Sequence, residues 1–263
     1  MDRKYIFIAG GVLALLVLGI GLLDYSGYVL NGPYIVKGGT VVVEDILPGT
    51  KIFINNKKEA EAGANETSTS VRGLPSGTHS IIVAHDDAWP WLSEFEANIA
   101  QETTVRPVLV PREPNGSVIT KDDERFAAAR ELLEGYTLPT REEPLTHEGG
   151  AYAVWADGNS VFARDGSAED SVPFAVFTSE FPVKSASWYK GHADVLLLAA
   201  SDSIFTLDVE EKDVRNFQPV YKGVGPSFVV NPENNAELFV DDGGHTLILY
   251  LDIGAEKGVG ASL

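Results

Sequence analysis

The hydrophobic pattern opens with an uninterrupted apolar run over residues 5–23, which contains no charged side chain. As a helix rising about 1.5 Å per residue, this run would nearly cross a hydrocarbon core of about 30 Å. Arg3 and Lys4 precede the run and Asp24 follows it. The positive-inside rule therefore predicts that residues 1–24 comprise a cytoplasmic tip of about four residues and a single-pass anchor, and that the remainder is extracytoplasmic. The alternative is a cleaved signal peptide, but the run is longer than an ordinary h-region and no Ala-x-Ala site follows it.

The pattern after the anchor changes twice. Residues 25–38 are rich in glycine and predict a short stalk. Residues 39–112 contain short runs of alternating and β-branched residues, separated by turn-forming residues every 8–12 positions or so. This spacing predicts a small all-β sandwich.

Three motifs within 39–112 resemble the PEGA domain family. Pro48-Gly49-Thr50 stands at the position of that family's Pro-x-Gly-Ala-like turn, with the glycine shifted and threonine in place of alanine. Asn55-Asn56 stands at its hairpin, and a segment from Leu74 to His79 matches its Leu-x-x-Gly-x-His element. The resemblance implies a β-sandwich found in surface proteins, with no catalytic residues to transfer and a structural role for His79.

The region from 113 to 150 is rich in proline and acidic residues and is predicted to be a linker. Inside it, residues 122–136 predict one helix that begins at Asp122 and Asp123 and ends at Gly135. The helix should pack on a β domain through one apolar face, which consists of Phe126, Ala129, Leu132 and Leu133.

Residues 151–255 return to a strand pattern, with ten predicted strands, and 256–263 form a predicted flexible tail. Residues 185–210 recur weakly as 228–253, and 151–165 make a partial third copy. The repeat resembles blades of a WD40-like or TolB-like β-propeller, whose period is near 43 residues. A closed propeller needs about four or more blades. The alternatives are therefore an open array, a ring closed by another chain, or a sandwich that mimics blades.

Composition narrows the classes of function. The chain has 263 residues, 44% of them hydrophobic, and a formal net charge of −18. Such a charge opposes phosphate contacts and argues against nucleic-acid binding. The absence of cysteine excludes disulfides, thiolate metal sites and a cysteine nucleophile, and an acidic, cysteine-free composition suits a prokaryotic surface protein.

The sequence contains few motifs that would indicate catalysis. Its five histidines lack the spacing of a zinc site, so we expect no metal and no cofactor. No G-x-S-x-G, P-loop or G-x-G-x-x-G motif occurs. We therefore expect a protein that is not an enzyme, with a carboxylate-based hydrolase in the C-terminal domain as an alternative.

The candidate ligand-binding residues are Trp89 and Trp91, which flank Pro90, together with Asp86 and Asp87. Two indole rings could stack on sugar faces while the carboxylates accept hydrogen bonds from hydroxyl groups. The alternative is that the rings cap the sandwich core, because the PEGA family that this region resembles has an aromatic turn at this position. At most one of the two rings should be exposed, because an exposed pair of indole rings would be costly. Two other tryptophans, Trp155 and Trp188, are predicted to be core residues of the repeat.

Two hypotheses of non-catalytic function follow. The first is an envelope scaffold that binds an envelope protein, or a second copy of itself, through open β edges. The second is a cell-wall or glycan binder that uses the aromatic turn. Under both hypotheses the protein contacts the membrane through residues 5–23.

Overall fold

The structure is a computed structural model, and it describes residues 11–15, 17–19, 21–22, 26–31, 34–166, 171–210 and 215–254. The predicted tip (1–4) and tail (256–263) lie outside these residues, as does part of the predicted anchor. Residues 11–15, 17–19 and 21–22 are helical. Within the described ranges, no helix is both long and apolar enough to cross a membrane.

The chain is mainly β and divides into two compact units. The first contains residues up to His85 together with Pro90–Pro107, and the second contains Asp86–Trp89 and everything from Val108 onward. The first unit ends before residue 112, where the sequence analysis placed the end of the sandwich.

The described residues of the first unit form nine strands. They are β1 (Tyr28–Asn31), β2 (Tyr34–Lys37), β3 (Gly39–Val43), β4 (Lys51–Ile54), β5 (Lys57–Glu61), β6 (Thr69–Leu74), β7 (Gly77–Ala84), β8 (Trp91–Ala97) and β9 (Glu102–Val105). Strands β1 and β2 pair as an antiparallel hairpin, so the segment predicted as a stalk contains regular structure.

The other seven strands of this unit form two sheets, each with one buried face, as in a β-sandwich. One sheet has the order β6-β3-β9 and includes a parallel pair, β3 with β9; the other is antiparallel, with the order β5-β4-β7-β8. Val41, Val43, Ile52 and Val83 are fully buried because alternate residues of each strand face the core.

The hairpin between β4 and β5 confirms the predicted turn at Asn55-Asn56. Both asparagines have positive φ angles (49° and 65°), as the central residues of a two-residue type I′ turn must. The Asn55 side-chain amide lies 2.9 Å from Nδ1 of buried His79, whose Nε2 lies 2.8 Å from the carbonyl oxygen of Pro75. A carbonyl only accepts, so Nε2 carries the proton and Nδ1 accepts from the amide. His79 thus joins two of the motifs, which is a structural role.

In the second unit, the part of the chain that the structure describes forms one helix and eleven strands. They are β10 (Asn115–Ile119), α1 (Phe126–Gly135), β11 (Tyr152–Asp157), β12 (Ser160–Asp165), β13 (Phe174–Thr178), β14 (Val183–Trp188), β15 (Val195–Ala200), β16 (Ser203–Asp208), β17 (Phe217–Lys222), β18 (Ser227–Asn231), β19 (Asn234–Asp242) and β20 (His245–Tyr250). Strands β11–β20 correspond to the ten predicted strands, whereas β10 was missed because it lies in the predicted linker.

These strands form three antiparallel sheets. Sheet I has the order β11-β12-β13, sheet II the order β14-β15-β16-β17 and sheet III the order β10-β20-β19-β18. The two full copies of the sequence repeat occupy β14–β16 and β18–β20. Sheets I and II share one hydrophobic core, which includes Val154 and Ala163 from sheet I and Leu196 and Leu198 from sheet II. Sheet III adjoins sheet II, where the Phe228 amide donates to the Ser185 hydroxyl over 2.9 Å.

The helix α1 begins later than predicted. Asp123 accepts hydrogen bonds from the backbone and the guanidinium of Arg125, which hold residues 121–125 in turns, so the helix starts at Phe126 rather than at Asp122. Its predicted apolar face is confirmed. Ala129 is fully buried against Phe239 and Ile248 of sheet III, and Phe126, Leu132 and Leu133 pack around it. The helix therefore covers one face of sheet III.

Candidate functional site

The aromatic turn is held by backbone pairing within the second unit. The Trp89 amide donates to the carbonyl of Val110 over 2.8 Å, and the Arg112 amide donates to the carbonyl of Asp87 over 3.0 Å. Ala88 lies opposite Pro111 in an antiparallel bridge and is fully buried. The segment Asp86–Trp89 is therefore a turn at Asp86-Asp87 followed by a single bridge at Ala88, and both belong to the second unit.

The ring of Trp89 is already engaged on one face and at its nitrogen. Its indole N–H donates to the carbonyl of Pro219 in β17 over 2.9 Å. The guanidinium carbon of Arg112 lies over the ring, 5.6 Å from the centroid, and Arg112 Nε donates to the carbonyl of Ala88 over 2.8 Å. This is a cation–π arrangement, which stabilises the turn. Arg112 was not among the predicted site residues, because only the bridge at Pro111 brings it beside the turn.

Trp91 belongs to the first unit. It begins β8, pairs with Val83, and lies on the same face of the strand as buried Phe95 and Ala97. Its half-buried side chain fits the interpretation in which the aromatic residue caps the sandwich core. Trp89 and Trp91, predicted as one pair, thus belong to different units.

Asp86 and Asp87 line a cleft of about 480 Å³ in the second unit, and both are exposed. Glu113 and Asp252 contribute two further carboxylates, and Arg112 contributes the one guanidinium among its described lining residues. The Asp252 carboxylate also pairs with Lys190 Nζ at 2.5 Å. We call this set the acidic cleft. Its negative lining favours cationic ligands, and its position beside the Trp89–Arg112 contact gives it one rigid wall.

A second cleft, of about 490 Å³, lies on sheet I. Trp155 and Phe162 are stacked at its base with their ring centroids 6.0 Å apart and an interplanar angle of 21°, and Arg141 and Glu142 from the preceding segment form part of its wall. Trp155 is buried, as is Trp188 of sheet II, which confirms that both are core residues. This cleft consequently offers little free aromatic surface.

The buried carboxylate of Asp242 has a structural role in the second unit. It accepts hydrogen bonds from the Tyr221 hydroxyl (2.9 Å) and from the amides of Val224 (2.9 Å) and Gly225 (2.8 Å). Burial opposes the charged form, but these hydrogen bonds together hold the pKa of the Asp242 carboxyl below its usual value. The carboxylate therefore fastens the loop after β17 to the end of β19.

A hairpin turn follows Asp242. Gly243 and Gly244 have φ angles of 59° and 84° and join β19 to β20. Glu237, also buried, accepts a hydrogen bond from the side-chain amide of Asn231 over 2.9 Å. Both buried acids of the repeat thus hold loops in place, and neither contact favours the hydrolase alternative.

Among the described residues, no group of three or more histidine, aspartate or glutamate side chains is arranged to hold a metal ion. Comparison with protein-family models and with curated proteins finds no match to this chain.

Proposed function

We propose that the chain is a membrane-anchored, extracytoplasmic binding or scaffold protein of the cell envelope that acts without catalysis. The apolar run 5–23, with Arg3 and Lys4 before it, supports a single-pass anchor with the N-terminus in the cytoplasm. The helical state of residues 11–15, 17–19 and 21–22 is compatible with that anchor. In this proposal the first unit is a PEGA-like sandwich, and sheets I–III are propeller-type blades.

The composition of the acidic cleft is the main support for the proposed binding function. Four carboxylates and one guanidinium surround it, and the guanidinium is already placed over the Trp89 ring. A preformed acidic wall lowers the ordering cost of binding and steers cationic groups toward the cleft. The proposed ligand is therefore a lysine- or arginine-rich segment of an envelope protein.

One strand edge and one sheet face of the second unit are protected, which bears on the proposal of open β edges. The edge strand β17 contains Pro219, which has no amide hydrogen, and its carbonyl oxygen accepts the Trp89 indole N–H. One face of sheet III is covered by α1. Sheet I, in contrast, has three strands where sheets II and III have four. The scaffold form of the proposal is self-association through β13, an edge strand of sheet I in which the Val176 carbonyl already accepts a hydrogen bond from Arg215 over 3.1 Å.

The binding proposal is tested with the full chain purified in a non-ionic detergent. A fluorescein-labelled peptide of ten alternating lysine and glycine residues is the probe, and fluorescence anisotropy is the readout. Asp86→Asn combined with Asp87→Asn should weaken binding about tenfold or more. Asp122→Asn combined with Glu124→Gln is the matched control, because it removes the same charge elsewhere in the second unit. Equal loss in both double variants would contradict a defined cleft and leave only the effect of net charge.

Co-sedimentation with purified cell-wall polymer distinguishes glycan binding from protein binding. If Trp91→Ala abolishes sedimentation while the Asp86 and Asp87 variants retain it, glycan binding replaces protein binding as the function.

Anchorage is tested separately by extracting cell membranes with sodium carbonate at high pH. An anchored chain stays in the pellet, and release into the supernatant would contradict the anchor.

A further inference from the structure

A polar groove of about 720 Å³ lies in the first unit, on the outward face of the sheet β6-β3-β9. Thr40 of β3 is paired with Arg72 of β6 on one side and with Glu102 of β9 on the other. Paired residues point to the same face of a sheet, and two inter-strand spacings separate Arg72 from Glu102 by about 10 Å at the backbone. The groove thus presents a cation and an anion with a hydroxyl between them.

Three of the four charged groups of this groove have no ion-pair or side-chain hydrogen-bond partner among the described residues. Lys37, Arg72 and Glu102 form no ion pair and no side-chain hydrogen bond with any described residue. Glu66 also lines the groove, and one of its oxygens accepts the Gly63 amide over 2.7 Å. Two cations and two carboxylates therefore face a common space, and the guanidinium has its full set of donors available.

The wall of the groove is rigid and continuous with the N-terminal helical residues. The Gly38 amide donates to the carbonyl of Gly27 over 2.8 Å, and a side chain at Gly38 would come within 2.6 Å of the backbone of Gly73, so the hairpin packs tightly on β6. Ser26, at the end of that wall, donates both its amide (3.0 Å) and its hydroxyl (2.7 Å) to the carbonyl of helical Leu22. The groove therefore begins where the proposed anchor ends.

We infer that this groove binds a zwitterionic phosphate ester, the head group of an ethanolamine phospholipid. The phosphate lies against Lys37 and Arg72, and the ammonium group lies against Glu102 and Glu66. Balanced charge in the groove matches a head group of no net charge, which a chain of net charge −18 does not repel as it would an anionic surface. The assignment of this ligand to a membrane lipid rests on the proposed membrane anchor. The assignment of a zwitterionic phosphate ester rests only on the residues of the groove.

The test uses the full chain in maltoside micelles, which contain no phosphate, and isothermal titration calorimetry. The ligands are glycerophosphoethanolamine, glycerol 3-phosphate and dihexanoyl phosphatidylethanolamine. The wild type should bind glycerophosphoethanolamine more tightly than glycerol 3-phosphate. Arg72→Gln should weaken binding of all three about tenfold, because one charge-assisted hydrogen-bonding group is lost. Glu102→Gln should instead remove the preference for the ethanolamine ester and leave glycerol 3-phosphate binding intact.

Arg106→Gln and Glu94→Gln are the matched controls, since both residues lie in the first unit outside the groove. Both controls should bind like the wild type, and all four variants should have unchanged circular dichroism. The inference is overturned if Arg72→Gln binds like the wild type, or if no phosphate ester binds. Binding of the soluble ester without the short-chain lipid would overturn the lipid assignment. Release of the chain by carbonate, with the soluble ester still bound, would overturn the anchor and retain the groove chemistry.

Discussion

The hydroxyl group of Tyr136 makes two hydrogen bonds to the backbone of one residue, Ala186. It donates to the carbonyl oxygen over 2.9 Å and accepts from the amide over 2.8 Å. Tyr136 directly follows α1, and Ala186 lies in β14 of sheet II. One side chain thus satisfies both polar groups of a buried strand residue, as a neighbouring strand would, and fixes the end of α1 to the three-sheet unit.

Tyr136→Phe should destabilise the second unit by about 1–3 kcal/mol, because it leaves the Ala186 amide and carbonyl without their partner. Burial also raises the pKa of Tyr136, so the hydroxyl stays protonated and able to donate through neutral pH. The measurement is urea unfolding followed by tryptophan fluorescence. Tyr34→Phe, at an exposed position of β2, serves as the control and should change nothing. A variant as stable as the wild type would show that these two hydrogen bonds are dispensable.

Asp242 gives a prediction for the dependence of stability on pH. Its carboxyl has a lowered pKa in the folded state, so the stability it contributes is present above the unfolded value of about 3.9 and is lost as the pH falls through the folded value. Asp242→Asn should therefore cost most at pH 7, about 1–3 kcal/mol, and progressively less below about pH 4. Urea unfolding at pH 7, 5 and 3.5 measures this. A cost that does not change with pH would refute a role for the charged form.

Thr50 offers a stabilising substitution. Its side chain is fully buried, and its hydroxyl has no hydrogen-bond partner in the described part of the chain. A buried hydroxyl without a partner is unfavourable by about 1–3 kcal/mol, so the isosteric change Thr50→Val should raise the midpoint of thermal unfolding of the first unit. Thr78→Val is the control. The Thr78 hydroxyl donates to Glu96, so its removal should not raise the unfolding midpoint. A lower midpoint for Thr50→Val would indicate that the hydroxyl is satisfied in solution.

The wall of the acidic cleft can be tested without changing its charge. Arg112→Lys keeps the positive charge but loses the planar group that lies over Trp89 and the Nε donation to the Ala88 carbonyl. Affinity for the basic peptide should fall severalfold as the turn loosens. Arg141→Lys, at the cleft on sheet I, should leave that affinity unchanged. Unchanged affinity in Arg112→Lys would mean that the cleft binds through charge alone.

The parts of the fold that follow from local pattern were predictable. The ten strands β11–β20 and the apolar face of α1 follow from alternation and helical spacing, and the Asn55-Asn56 turn follows from residues that tolerate positive φ. Strand β10 escaped prediction because Gly116 and Ser117 have low strand propensity, and only pairing with β20 makes the segment a strand.

The acidic cleft was predictable in part. Asp86 and Asp87 are its residues, but their partners Glu113 and Asp252 come from distant parts of the chain. The order of the three sheets and the contact of Arg112 with Trp89 also depend on tertiary packing, which no local pattern encodes. The unpaired charges of the polar groove escaped notice for the same reason, since Lys37, Arg72 and Glu102 lie on three separate segments.

The upstream origin of β10 has a consequence for biosynthesis. Asn115 pairs with Tyr250, so sheet III joins the first and the last of the strands described in the second unit. During translation β10 emerges early, and it cannot form its pairing until β20 has also been synthesised. Closure of such a long loop makes this pairing a slow and late event. Premature termination before Tyr250 would leave α1 without a complete sheet to cover, and the released chain would expose its apolar face to aggregation and proteolysis.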